Sequence, residues 1–298
     1  MDGAKAPRIR LNDGNLMPVL GLGTFLGFDE NGQKETKDGE VEVPVTWALN
    51  AGYRMIDTAS AYKSEDQVGK GIAKSGVARE NVFIVTKLGL HEQRTVVDSL
   101  KKSLQRLNTS YVDLYLIHNP VALKPDHSGF DVIDYLDTWK GMEEAKRLGL
   151  ARSIGISNFN ISQMERLLKN CEIRPAVLQV EVNLNLAQHK IHEYTKREGL
   201  ALMAYTPFGS LFDKTGVPPP PRVQRGIVPI PKSVRKEKIE ENIDIFDFEL
   251  TENDMVELYN FNKDYRVVWP SFWQDHPYYP FEKKDTPDDD LFKPKPKE

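Results

Sequence analysis

Asp57, Lys87 and His118 each close a short apolar run: YRMIDT, VFIVTK and VDLYLIH. A carboxylate, an ammonium and an imidazole brought to one rim form a charged cluster that is expensive to bury without purpose. Tyr62 follows Asp57 by five residues, in the loop after the second run. A phenol with a pKa of about 10 is a poor proton donor at neutral pH, and a neighbouring ammonium lowers that pKa by favouring the phenolate. Lys87 is expected to supply the charge, Asp57 to hold Lys87, and His118 to orient a carbonyl oxygen or relay a proton. Such a group suits protonation of a developing alkoxide. Taken singly, each residue has a plainer reading as a turn-capping carboxylate, a solvated lysine or a packed histidine.

These residues need a frame that gathers strand ends. Eight short runs, nearly continuous in apolar residues, read as strands buried on both faces: Pro18–Thr24, Tyr53–Thr58, Val82–Lys87, Val112–His118, Arg152–Ile156, Val177–Val182, Leu200–Tyr205 and Ile227–Pro231. Further polar residues stand at their ends: Ser157 with Asn158, Gln179, Tyr205, and Lys232 with Ser233. Amphipathic segments lie between the runs. Glu92–Leu107 sets Val96, Val97, Leu100, Leu104 and Leu107 on one stripe, and Val132–Leu148 does so with Val132, Leu136 and Trp139. Ser64 to Gln67 has the form of a capping box. Alternating strands and helices imply a parallel sheet, and eight strands close a (β/α)₈ TIM barrel, with a doubly wound open sheet as the alternative.

Two additions and one irregularity complete the pattern. Arg8–Leu16 reads as a hairpin around Asp13-Gly14 that plugs one end of the barrel. From Tyr265 the chain is Pro-rich and aromatic, with Trp269, Phe272, Trp273, Tyr278, Tyr279 and Phe281, before an acidic stretch at Asp288–Asp290. This loop is expected either to fold over the rim and shape a substrate site or to pack on the barrel wall, with residues 283–298 a flexible tail. Between Tyr205 and Ile227, Pro218–Pro221 cannot lie in a helix interior and no amphipathic stripe is present, so this crossover lacks its helix.

Composition narrows the class. The 298 residues carry a net charge of −4, 40% hydrophobic and 28% charged residues, as in a globular protein, and suggest neither nucleic-acid nor membrane binding. Cys171 is the only cysteine, which excludes an intrachain disulfide and a thiolate-rich zinc site. No apolar signal region opens the chain, and no stretch approaches the roughly 18 apolar residues of a membrane span. The expectation is one domain over residues 1–298, in a soluble, cytoplasmic protein without a metal.

Four segments carry a resemblance: GYRMIDTASAY (Gly52–Tyr62), LIHNP (Leu116–Pro120), GISNF (Gly155–Phe159) and IPKSV (Ile230–Val234). They resemble the signatures of the aldo-keto reductase family, and the likeness runs from about Arg8 to Trp273. It implies a (β/α)₈ barrel that binds NADPH without a Rossmann domain and a catalytic tetrad of Asp57, Tyr62, Lys87 and His118. Hydride passes from nicotinamide C4 to a carbonyl carbon, and Tyr62 protonates the oxygen as general acid. By the same likeness Thr24 and Phe25 border the cofactor, and Ser157, Asn158 and Gln179 hold the carboxamide. Tyr205 stacks on the nicotinamide, and Gly209 and Ser210 begin the loop over the pyrophosphate. Lys232, Ser233 and Val234 form the adenosine-phosphate site, with Glu241 and Asn242 on the adenine. Lys232, Arg235 and Lys238 around a helix start favour a 2′-phosphate, and hence NADPH over NADH. The resemblance also implies a monomer acting on a small-molecule carbonyl.

Three departures bear on specificity and stability. Lys238 stands where the family usually has arginine, which keeps the charge and loses the planar fork. Gly89 and Asn119 occupy positions where many relatives carry tryptophans, and Phe25 one where some have another. With Trp269 they line an opened substrate pocket suited to a bulky, hydroxyl-bearing ketone. The stretch His118–Ala122 is similar to insect members that reduce 3-dehydroecdysteroids, pointing to steroid metabolism. The third departure is the crossover, where relatives carry further residues including a helix. The chain reads either as a shortened splice form or as one from whose sequence residues are missing. A cofactor-binding or structural barrel with little catalysis is the competing reading.

Overall fold

A computed structural model describes residues 3–27, 36–126, 128–209 and 226–283. The chain opens with an antiparallel hairpin of β1 (Arg8–Arg10) and β2 (Leu16–Pro18), in register Arg8↔Pro18. The barrel strands follow as β3 (Leu22–Gly23), β4 (Met55–Asp57), β5 (Phe83–Leu88) and β6 (Val112–Ile117). A small ribbon, β7 (Ala122–Leu123) with β8 (Phe130–Asp131), precedes β9 (Ala151–Ser157), β10 (Val177–Glu181), β11 (Ala201–Tyr205) and β12 (Ile227–Pro229). Helices α1 (Glu42–Ala51), α2 (Glu65–Ser75), α3 (Val96–Leu107), α4 (Tyr135–Arg147), α5 (Ile161–Asn170) and α6 (His189–Glu198) alternate with the strands. Two more, α7 (Lys236–Ile243) and α8 (Glu252–Tyr259), come after β12. The expectation of a helix-free crossover falls on 210–225, outside the described residues.

β3 to β6 and β9 to β12 form one eight-stranded parallel sheet in sequence order. Its two edges meet: Gly21 N donates to Pro229 O at 3.1 Å and Gly23 N to Pro231 O at 2.9 Å, which closes the (β/α)₈ barrel. Glycine is required at this seam, because a Cβ on Gly23 would stand 2.8 Å from Ile230 O. The fold class read from the sequence therefore holds.

Alternation along each strand divides the core. Met55, Phe83, Val85, Leu114, Leu116, Val177, Met203 and Val228 fill the barrel, and Leu11 and Met17 from the hairpin join them as its floor. Side chains of opposite parity, such as Ile56, Ile84, Tyr115, Ile154 and Leu178, meet the helices in a second layer. Each large apolar side chain buried in this way contributes on the order of 1.5–3 kcal/mol. Lys146 Nζ clips the hairpin by donating to Asp13 Oδ2 at 2.6 Å.

Three local expectations are corrected. α3 starts at Val96, and Leu90–Glu92 is a separate 3₁₀ turn. α4 starts at Tyr135, capped by Asp134, so Val132 lies outside the helix and is 63% exposed. The Ser64 capping box does not form: Gln67 Oε1 instead accepts from Val41 N and Glu42 N, serving the start of α1. Among the described residues no helix is long and apolar enough to cross a membrane, and no three His, Cys, Asp or Glu side chains group to hold a metal ion.

Candidate active site

Register brings the polar strand ends to one level. Asp57 pairs with Gly23 and Val85, Lys87 with Leu116, and Ser157 with Gln179. Asp57 and Lys87 are fully buried and adjacent, with Lys87 Nζ donating to Asp57 Oδ1 at 2.6 Å and to Thr58 O at 2.9 Å. Gln179 Nε2 donates to the other carboxylate oxygen at 2.7 Å. Thr24 Oγ1 donates to Asp57 O at 2.9 Å. Burial raises the Asp57 carboxyl against the pull of Lys87, and lowers the Lys87 ammonium against the pull of Asp57. Breaking such a pair strands a charge in the interior.

Tyr62 ends a 3₁₀ turn, Ser60–Tyr62, just beyond β4. Its Oη lies 3.5 Å from Lys87 Nζ, which also stands 5.1 Å from its ring centre. The His118 ring meets it edge-on at 5.6 Å, and the Phe25 ring lies 5.0 Å away. The expected lowering of the phenol pKa is not found. Burial first and the Asp57 carboxylate second push it well above 10, so the group is held as a neutral phenol that carries its proton. His118 is lowered to about 3, by burial and then by the Lys87 ammonium, and is a neutral imidazole at neutral pH. Its Nδ1 is buried without a partner among the described residues.

On the adjoining side, Asn158 takes a left-handed backbone (φ 62°) just past β9. Its Nδ2 donates to His118 O at 2.9 Å, and its Oδ1 accepts from Tyr205 Oη at 2.8 Å. This chain of contacts links β6, β9 and β11. Gly209 has φ 60°, and a Cβ there would stand 2.9 Å from Asn183 Cγ. Ser210 lies outside the described residues. Lys232, Val234 and Arg235 are exposed before α7, and Ser233 Oγ accepts from Arg235 N at 3.1 Å. Lys238 and Glu241, read as separate contacts, join each other at 2.5 Å; Asn242 follows on the same helix.

The expected pocket residues divide. Phe25 lies against the Tyr62 ring at a tilt of 44°. Asn119 is buried and folded back, its Oδ1 accepting from Val121 N at 3.0 Å. Gly89 faces the Glu92 carboxylate. Trp269 Nε1 donates to Glu282 O at 3.1 Å. The tail is anchored in two places. Val267 N and Val268 N donate to the buried Glu181 carboxylate at the end of β10 (2.8 and 2.7 Å), whereas Tyr278 packs edge-on to Tyr135 of α4. Glu181 escaped the sequence reading, although it ends a strand as Asp57 does. A separate cavity of about 240 Å³, lined in part by Arg8, Arg54, Asp113 and Arg152, lies at the strand starts and touches none of the four tetrad residues.

A buried ion pair beside a neutral phenol and a neutral imidazole can donate a proton to an oxygen that gains charge. The comparisons agree with that chemistry. The family model described as aldo/keto reductase family matches residues 19–225. Aldo-keto reductase AKR2E4 of Bombyx mori is 44% identical over 308 aligned positions, covering 93% of this chain and 99% of its own. Its crystal structure in complex with NADP superposes with a TM-score of 0.83. A second solved structure, aldo-keto reductase AKR2E5 complexed with NADPH, the silkworm protein, is 38% identical with a TM-score of 0.86, covering 95% of this chain and 96% of that one. The chain belongs to the aldo-keto reductase family.

Proposed function

We propose that this protein reduces a ketone or aldehyde with NADPH, with Tyr62 as the general acid. The observation that carries the reading is the Tyr62 phenol 3.5 Å from Lys87 Nζ, in a group completed by Asp57 and His118. The residues fit the cofactor: Ser157 and Asn158 at the end of β9 stand beside Gln179 in the middle of β10. Tyr205 ends β11 beside them, and exposed Lys232 and Arg235 suit the 2′-phosphate. NADPH, when bound, supplies the hydride.

The chain supplies the rest. His118, neutral and rigidly neighboured, orients the carbonyl oxygen toward Tyr62 Oη. As negative charge develops on that oxygen, the Tyr62 proton moves to it, and the Lys87 ammonium stabilises the phenolate left behind. Asp57 holds Lys87 through a 2.6 Å contact and keeps its charge in place. The raised phenol pKa keeps the proton on Tyr62 until the carbonyl oxygen, gaining negative charge, becomes the stronger base. The polar groups around Gly89, the Glu92 carboxylate and the Ser60 hydroxyl, support a bulky hydroxyl-bearing ketone such as a 3-keto steroid or ecdysteroid. A monomer in the cytoplasm fits the reading.

Two observations favour the less catalytic alternative. The 308 positions aligned with the Bombyx mori relative exceed the 298 residues of this chain, so that relative carries residues absent here. None of the residues of α8 is buried. Tryptophan quenching by NADPH, followed by turnover of 4-nitrobenzaldehyde and a 3-ketosteroid, separates the two. Saturation near 10 µM, roughly −7 kcal/mol, with turnover that falls about 10²- to 10⁴-fold in Tyr62→Phe, supports the reductase. A folded protein with no NADPH binding, or with equal rates in the variant, overturns it.

A further inference from the structure

The loops that carry Tyr62 and follow Lys87 are tied together by a residue outside the tetrad. Glu92 Oε2 accepts from Ser60 Oγ at 2.6 Å and from Gly89 N at 2.8 Å. Ser60 opens the turn that ends in Tyr62, and Gly89 lies two residues beyond Lys87. A carboxylate that accepts two such donors is held firmly, since charge-assisted hydrogen bonds are about twice as strong as neutral ones.

The position of that carboxylate is as telling as its bonds. Strand parity puts residue 89 on the same side of the chain as Lys87. A Cβ on Gly89 would stand 2.7 Å from Glu92 Oε2, 3.2 Å from Cδ and 3.0 Å from Ser60 Oγ. The carboxylate thus takes the space in which a side chain at residue 89 would begin. Glu92 is only partly buried, and both of its bonds fall on one oxygen. Among the described residues no donor reaches Oε1, which is left as an acceptor. Asp57 and Lys87 cancel each other, and Lys63 on this side is exposed to solvent.

We infer that Glu92 is a specificity-determining rim residue, offering an anionic hydrogen-bond acceptor that favours hydroxyl-bearing carbonyl substrates and disfavours carboxylate-bearing ones. This rests on the reductase reading above. It also gives a physical reason for glycine at residue 89: any side chain there would displace the carboxylate.

The test compares 4-carboxybenzaldehyde with its methyl ester at fixed NADPH, in the wild type and in Glu92→Gln. The amide of Gln keeps an acceptor for Ser60 and Gly89 and removes the charge. The ratio of kcat/KM for acid over ester is expected to rise about fivefold in the variant, as for unit charges several ångströms apart in partly wet surroundings, and the gain should shrink in high salt. An unchanged ratio, with the ester still turned over, overturns the assignment. Absence of turnover of both aldehydes by the wild type counts against the reductase reading itself. Should Glu92→Gln unfold, Gly89→Ala supplies the second arm, since pushing the carboxylate aside is expected to raise the same ratio; no change there also overturns the proposal.

Discussion

The two sides of the barrel rim are built differently. Around β4 and β5 the Asp57 and Lys87 side chains are buried beside a half-buried Tyr62, and their contacts form within the protein itself: Asp57 alone takes contacts from Lys87 and Gln179. Around β12 and the start of α7 the basic side chains are exposed, and Lys238 is engaged with its own helix neighbour Glu241. The half proposed to handle the proton is thus fixed by folding, and the half proposed to meet the phosphates is exposed. Such a division keeps precise geometry where a proton must travel a short distance and leaves adaptability where only charge must be matched.

The sharpest way to break this contrast is Lys87→Met. It leaves the Asp57 carboxylate buried without its cation, and a loss of about 3–5 kcal/mol in unfolding free energy is expected by urea titration. Adding Asp57→Asn to the same chain should recover part of that loss. A single variant as stable as the wild type would mean that the pair is not prepaid by folding.

A smaller effect comes from acid. His118 in the folded protein titrates at about 3, below its ordinary value of 6.5. Between these values the unfolded chain binds the proton and the folded one does not, so this contribution is complete above 6.5 and is lost as pH falls. Between pH 7 and pH 5 the wild type should lose about 2 kcal/mol that His118→Gln does not lose. Parallel losses in the two proteins would remove His118 from the preformed half.

The smallest effect belongs to the exposed half. Arg235→Ala should leave the melting temperature unchanged and weaken NADPH by about two- to fivefold, with NADH affected less. Isothermal titration with both nucleotides at low and high salt checks this. Equal weakening of the two would place Arg235 away from the 2′-phosphate.

Much of the frame was legible because its signals are local. The run VDLYLIH can be read as a buried strand from its apolar continuity, and it forms β6. The hairpin around Asp13-Gly14 follows from turn chemistry, and it forms the barrel floor. What escaped depends on distant partners. Gln67 looks like the third residue of a capping box, yet it serves α1. Val132 fits an apolar stripe, but Asp134 caps the helix later. The direction of the Tyr62 shift could not be read from Lys87 alone, because burial outweighs one neighbour. Glu92 passed as the first residue of a helix, and its contact with Ser60 spans two loops. Glu181 was legible by the same rule as Asp57, a carboxylate ending an apolar strand, but the segment it anchors lies far along the chain.

The seam between β3 and β12 has a consequence for how the molecule breathes. Gly21 and Gly23 reach across to Pro229 and Pro231, partners drawn from opposite ends of the barrel sequence. Loop closure between such distant residues is entropically the most demanding contact in the barrel. The proline residues there supply carbonyls and no amide hydrogens, so no return bond starts from them. Amide deuteration should therefore reach Gly21 and Gly23 before the interior of β5 or β6, and refolding should protect them last. That order of exchange would mark the seam as the line along which the barrel opens.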